Sequence, residues 1–136
     1  MCRIFISADP ALYRSRSRSL RLRGVATSIR LENIFWNVLE EIGARDELSV
    51  ARLITRLYDE LAETGGDLAN FTSFLRVCCG RYLALQLAGG IPADRSVPIR
   101  SLDAEFVLAC EGPAGAGRLR QPARPRVPSN PARAGA

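Results

Sequence analysis

At 136 residues and 47% apolar side chains, the chain is long enough for one domain of ordinary size and too apolar to be disordered throughout. Its longest apolar runs fall far short of about 18 residues, which excludes a membrane-spanning helix. The net charge of +5 rests on arginine alone, with no lysine or histidine, so Ser-His and Cys-His catalytic couples and histidine-based zinc sites are excluded.

The charge is segregated along the chain. Residues 14 to 30 hold six arginines and no acid, residues 32 to 67 hold nine acids against three arginines, and five more arginines follow Glu111. Basic clusters flanking an acidic middle are the electrostatic footprint of an anionic partner, nucleic acid first. The start, MCRIFISADPALYR, lacks the pattern of a secretory signal, so the cytoplasm is the expected compartment.

In chain order, CRIFIS (residues 2–7) reads as a short strand with no evident partner, and Asp9-Pro10 as a turn. A basic arm follows from Arg14 to Arg23. Within it Leu20 and Leu22 alternate with Arg21 and Arg23, as in an extended segment, until Gly24 interrupts. Residues 25–31 alternate as a strand whose Thr27, Ile29 and Leu31 share one face and Ala26, Ser28 and Arg30 the other. A helix is expected from about Asn33 to Arg45, with Phe35, Val38, Leu39 and Ile42 as its apolar stripe and Trp36 off it, placed for a dimer contact, the favoured reading, or for edge packing on the third helix.

Ser49 is suited to cap a second helix, on which Val50, Leu53, Ile54, Leu57 and Leu61 form a stripe ending before Thr64. A third helix is expected over Asn70–Leu87, with Phe71, Phe74, Leu75, Cys78 and Tyr82 inward and Gly89-Gly90 stopping it. A short helix over Leu102–Cys110 precedes a Gly/Pro/Ala/Arg tail, residues 112–136, too poor in large apolar residues to fold alone. The four cysteines match no metal spacing and read as reduced thiols. Neighbouring carboxylates on the helices (Glu40/Glu41, Asp59/Glu60) diverge, and no phosphate-binding glycine loop occurs, so no catalysis and no cofactor or metal are expected.

A lone strand cannot satisfy its ladder, and no second strand is evident within hairpin reach of residues 25–31. Pairing with the same strand of another copy is the economical solution. It gives an antiparallel two-stranded ribbon narrow enough for a major groove about 12 Å wide. The stretch TSIRLENIFWNVLEEIGARDELSVARLITRLYDEL (27–61) resembles the ribbon-helix-helix DNA-binding family of the Arc/MetJ type. Adding NFTSFLRVCCGRYLALQ, with the CRIFISADPALY start and the VPIRSLDAE end, it resembles an uncharacterised bacterial subfamily of ribbon-helix-helix domain-containing proteins.

The resemblance implies a mainly α fold: one strand pairing across a homodimer, two helices, a third C-terminal helix and a disordered tail. It divides the chain into an N-terminal segment and arm (1–19), the ribbon-helix-helix part (20–63), a helical extension (64–111) and the tail. It implies base contacts from Ala26, Ser28 and Arg30, and a phosphate anchor at Ser49 and Val50, where a helix N-terminus suits an anion. Of the base-contact positions, Arg30 is equipped for a bidentate contact to guanine, Ser28 discriminates weakly and Ala26 offers only apolar contact. The arginines of the arm (Arg14, Arg16, Arg18, Arg21 and Arg23) add phosphate contacts. The function expected is a dimeric, sequence-specific DNA-binding protein, a transcriptional regulator. The alternative is a dimerisation and protein-interaction module, antitoxin-like or an adaptor, docking a protein partner on the extension after residue 64.

Overall fold

The computed structural model describes residues 1–111; the expected tail lies outside them. Two strands, β1 (Ser15–Leu22) and β2 (Val25–Glu32), form an antiparallel hairpin with Leu22 opposite Val25 and Ser15 opposite Glu32. The partner of β2 is therefore in its own chain, which corrects the expectation that no second strand lies within reach. The connection is two residues long, Arg23 at φ +50° and Gly24 at φ +80°. Two positive φ values match the right-handed twist of the strands, and glycine tolerates the second without strain. Two things hide β1 in the sequence. Arginine is an unusual residue at the first turn position, and Arg18 stands at an inward position where an apolar residue is expected.

The hairpin runs directly into α3 (Asn33–Arg45), which is followed by α4 (Val50–Glu63) and α5 (Phe71–Leu87). These three helices match the periodicity of the sequence closely. The Ser49 hydroxyl accepts the Arg52 amide and caps α4. The tight turn between α3 and α4 depends on Gly43: a Cβ there would stand 2.7 Å from the Leu48 carbonyl oxygen. N-terminal to the hairpin, residues 2–6 form a five-residue helix, α1 (Cys2–Ile6), with no buried side chain, not the expected strand; α2 (Pro10–Tyr13) follows. Local i→i+4 bonding satisfies this segment where no strand partner is at hand.

The core gathers Leu22, Ile29 and Leu31 of the hairpin under Trp36, Leu39, Leu53, Ile54, Phe71, Leu75 and Cys79. Trp36 is fully buried inside the chain, so it is a core residue and not a dimer contact. Its indole N–H donates to the Arg16 carbonyl (2.9 Å), and the Arg18 guanidinium lies 4.7 Å over its ring. On α5 Phe71, Leu75 and Tyr82 are buried as expected, but the inward thiol is Cys79, fully buried, while Cys78 is half-buried. Burial pushes the Cys79 thiol up to about 12 and raises Cys78 as well, so both are protonated at neutral pH and poor in thiolate reactivity.

Residues 91–111, including α6 (Ala104–Ala109), fold back as a second small core in which Ile91, Ile99, Leu102 and Val107 meet Tyr82, Leu85, Val38 and Ile42. Arg45, at the end of α3 and only 4% exposed, anchors this segment. It donates to the carbonyls of Val97 (2.9 Å), Pro92 (3.0 Å) and Asp94 (2.9 Å) and to the Tyr82 hydroxyl (3.2 Å). Tyr82 in turn donates to Glu41 (2.6 Å), whose carboxylate also meets Arg95 (2.8 Å).

At the junction of β2 and α3, Glu32 accepts a two-pronged contact from Arg76 of α5 (3.0 and 3.2 Å). That hydrogen bonding holds its carboxyl below the ordinary 4.5. A lowered folded-state value contributes stability that is fully present above about pH 4.5 and is lost as the pH falls through the folded value. Thermal melting of the native chain is therefore expected to decline with acid below that point, and the Glu32→Gln variant to decline less steeply. Equal slopes in the two proteins would refute the role given to this pair.

Candidate functional site

Alternation along the hairpin sorts its side chains onto two faces. Arg18, Leu20 and Leu22 of β1, with Thr27, Ile29 and Leu31 of β2, lie toward the helices. Outward, the register sets Ser17 opposite Arg30, Ser19 opposite Ser28 and Arg21 opposite Ala26. All six of these residues are exposed, and no carboxylate is among them. The three base-contact positions implied by the resemblance, Ala26, Ser28 and Arg30, thus share one open face. Ser17, Ser19 and Arg21 join them because β1 is a strand. The first two went unnoticed in the sequence, where a serine-arginine alternation reads as a solvated arm.

The basic residues of the arm divide into two groups. Arg18 pairs with Glu40 (2.6 Å) and Arg23 with Asp59 of α4 (3.2 Å), so both guanidiniums are engaged within the chain and fasten the hairpin to the helices. Arg14, Arg16 and Arg21 are exposed, and among the described residues none of the three has a carboxylate partner. The carbonyls of Arg14 and Arg16 accept from the Asn33 amide and the Trp36 indole, each at 2.9 Å, which fixes the backbone and leaves the side chains in solvent.

Beside the hairpin, the first turns of α4 add a second basic element. Its cap is occupied, since Ser49 accepts from Arg52, but the Val50 amide has no backbone partner among the described residues and stands at the positive end of a 14-residue helix. Arg52 and Arg56 follow at a spacing of four and line, with Arg21, a groove of about 450 Å³ whose remaining walls are Ser19, Leu20, Ala51 and Thr55. The signal for these two arginines was present in the sequence as an i, i+4 pair directly after the cap. Without the position of β1, however, they read as an ordinary solvated face. The arrangement offers hydrogen-bond donors and positive charge over a narrow, two-strand ridge and its flank, and it suits a polyanion better than a small enclosed ligand.

The similarities to other proteins agree with this architecture. The family model described as a ribbon-helix-helix domain matches residues 15–83, a span that begins with β1 and ends within α5. The solved structure of an uncharacterized protein from Bordetella pertussis Tohama I is similar with a TM-score of 0.77 and 65% identity, over 79% of this chain and 86% of that one. No curated protein matches the chain. With a match across half of its length and a solved relative at 65% identity, the chain belongs to the ribbon-helix-helix domain family.

Proposed function

We propose that this protein is a dimeric, sequence-specific DNA-binding protein, a transcriptional regulator, that lays the antiparallel ribbon of β2 and its copy in a second chain in the major groove and reads a guanine with Arg30. The observation that carries this reading is the outward hairpin face, where Arg30, Ser28 and Ala26 stand exposed and the acid two positions after Arg30, Glu32, is engaged by Arg76 of α5. Two paired strands are narrow enough for a groove about 12 Å wide.

The proposal includes a homodimer. In a two-residue hairpin, Leu22 and Val25 bond each other, so Thr27, Ile29 and Leu31 bond toward β1 while Ala26, Ser28 and Arg30 direct their amides and carbonyls to the free edge of β2. A second copy has a place on that edge. Two hairpins joined there put the base-reading residues of both copies at the centre and the β1 strands at the margins.

The test is selection of binding sites from random duplexes. Arg30→Ala is expected to keep the helical circular-dichroism spectrum and the oligomeric state while losing one guanine from the selected motif, a discrimination of about 1–3 kcal/mol. An unchanged motif would rule out Arg30 as the reader. A second reading, a protein-interaction module, draws support from Phe106 and Leu108 on α6, which are 59% and 54% exposed. A folded dimer with no salt-sensitive binding to any duplex would favour it.

A further inference from the structure

We propose that the groove between β1 and α4 is a binding site for the phosphodiester backbone of one DNA strand, gripped by Arg21, Arg52 and Arg56. The inference rests on the DNA-binding reading and assigns it a second, sequence-independent contact surface. One wall is β1 from Ser19 to Arg21; the other is α4 from Ala51 to Arg56. The ion pair between Arg23 and Asp59 (3.2 Å) holds the two walls together by pinning the hairpin turn to α4.

The arginines of the groove differ from most others in the fold. Arg18, Arg23, Arg76, Arg81, Arg95 and Arg100 each have a carboxylate within 4.0 Å, and Arg45 is buried under carbonyls. Arg21, Arg52 and Arg56 are exposed, have no such partner among the described residues, and come from two separate elements onto one concavity. No carboxylate lines it, and Ser19 and Thr55 are the other polar residues of its walls. A local excess of three positive charges that the fold leaves uncompensated selects an anion. Three guanidiniums spread over two elements of an open groove favour a chain of anions over a single one. Arg52 and Arg56 are separated by about 6 Å along the helix, one turn, which suits two successive phosphates of a strand.

The position agrees with the hairpin's place in the duplex. With two copies joined at β2, β1 lies about 7 Å from the two-fold axis, given strands about 4.8 Å apart. Half the width of the major groove is about 6 Å. Each β1 and its groove therefore fall at a wall of the major groove, where the phosphates run, while Ala26, Ser28 and Arg30 face its floor.

The experiment measures binding of the full chain to a short duplex of mixed sequence across a salt series. Removing both helix arginines (Arg52→Gln with Arg56→Gln) is expected to weaken every duplex several-fold. It should also make the slope of log K against log salt less negative by roughly 1.8, about 0.9 for each phosphate no longer neutralised, per chain bound. Arg21→Gln, on the opposite wall, is expected to make the slope less negative by roughly 0.9. In all of these variants the selected motif stays that of the native chain, the opposite of the result for Arg30→Ala. Native binding that depends on Arg30, with slopes unchanged in both groove variants, would overturn the groove and leave the DNA-binding reading standing. A native chain that binds no duplex would overturn both.

Discussion

Replacing Arg45 with alanine is expected to cost about 2–4 kcal/mol in urea denaturation, a large share of the stability of a domain this size. The side chain is 4% exposed and donates to three backbone carbonyls, those of Pro92, Asp94 and Val97, and to the Tyr82 hydroxyl. Truncation leaves the half-buried Pro92 and Val97 carbonyls without their donor, while Asp94 keeps the Val97 amide and Tyr82 keeps Gln86, and an unsatisfied polar group away from water costs more than a hydrogen bond gains. The loss is local in origin, since it is residues 92–97 that the guanidinium holds against α3 and α5. Limited proteolysis of the variant is accordingly expected to cut first between residues 91 and 98. Arg45→Lys is expected to recover only part of the loss, because an ammonium cannot reach three divergent carbonyls as a planar fork does. Native-like stability in Arg45→Ala would show that the segment is held by its apolar contacts alone.

Trp36→Ala is expected to destabilise the fold by about 3–5 kcal/mol, the range for removing a buried tryptophan or phenylalanine from a packed core. The indole is fully buried under the hairpin and supplies the donor for the Arg16 carbonyl and the surface over which Arg18 lies. Its loss therefore acts on β1 beyond the cavity it leaves. Amide hydrogen exchange in Ser15–Leu22 is expected to accelerate more than in α4 or α5. Trp36→Phe separates the two effects: most of the volume remains but the N–H is gone, and a cost of about 1–2 kcal/mol is expected. If Trp36→Ala left β1 exchange unchanged relative to the helices, the tryptophan would be filling space and not fastening the strand.

The candidate interface was half legible in the sequence, and the missing half has a definite cause. Strand alternation separates Ala26, Ser28 and Arg30 from Ile29 and Leu31 without any tertiary information, because the side-chain period of a strand is two. Alternation cannot show that Ser17, Ser19 and Arg21 share that face, since this depends on the register of β1 against β2, set by the Arg23-Gly24 turn. Arg18 and Arg23 belong to the same basic run as Arg21, yet they meet Glu40 and Asp59 while Arg21 stays open. Residues of one type within a few positions of one another were sorted into structural and available ones by where the acidic helices came to lie.

What the sequence by itself determined is the set of local elements. The periods of two and 3.6, the Ser49 cap and the glycines after Leu87 mark β2, α3, α4 and α5 closely, because each signal is carried by neighbours along the chain. The tertiary structure alone decided which strand β2 pairs with, which face of Trp36 and Cys79 is inside, and what Arg45 holds. Each of those depends on partners distant in the chain: Arg16 for Trp36, Phe35 for Cys79 and Val97 for Arg45. Polar and charged residues at inward positions are where the apolar pattern loses its meaning, and in this protein arginine occupies those positions on β1 and at the end of α3.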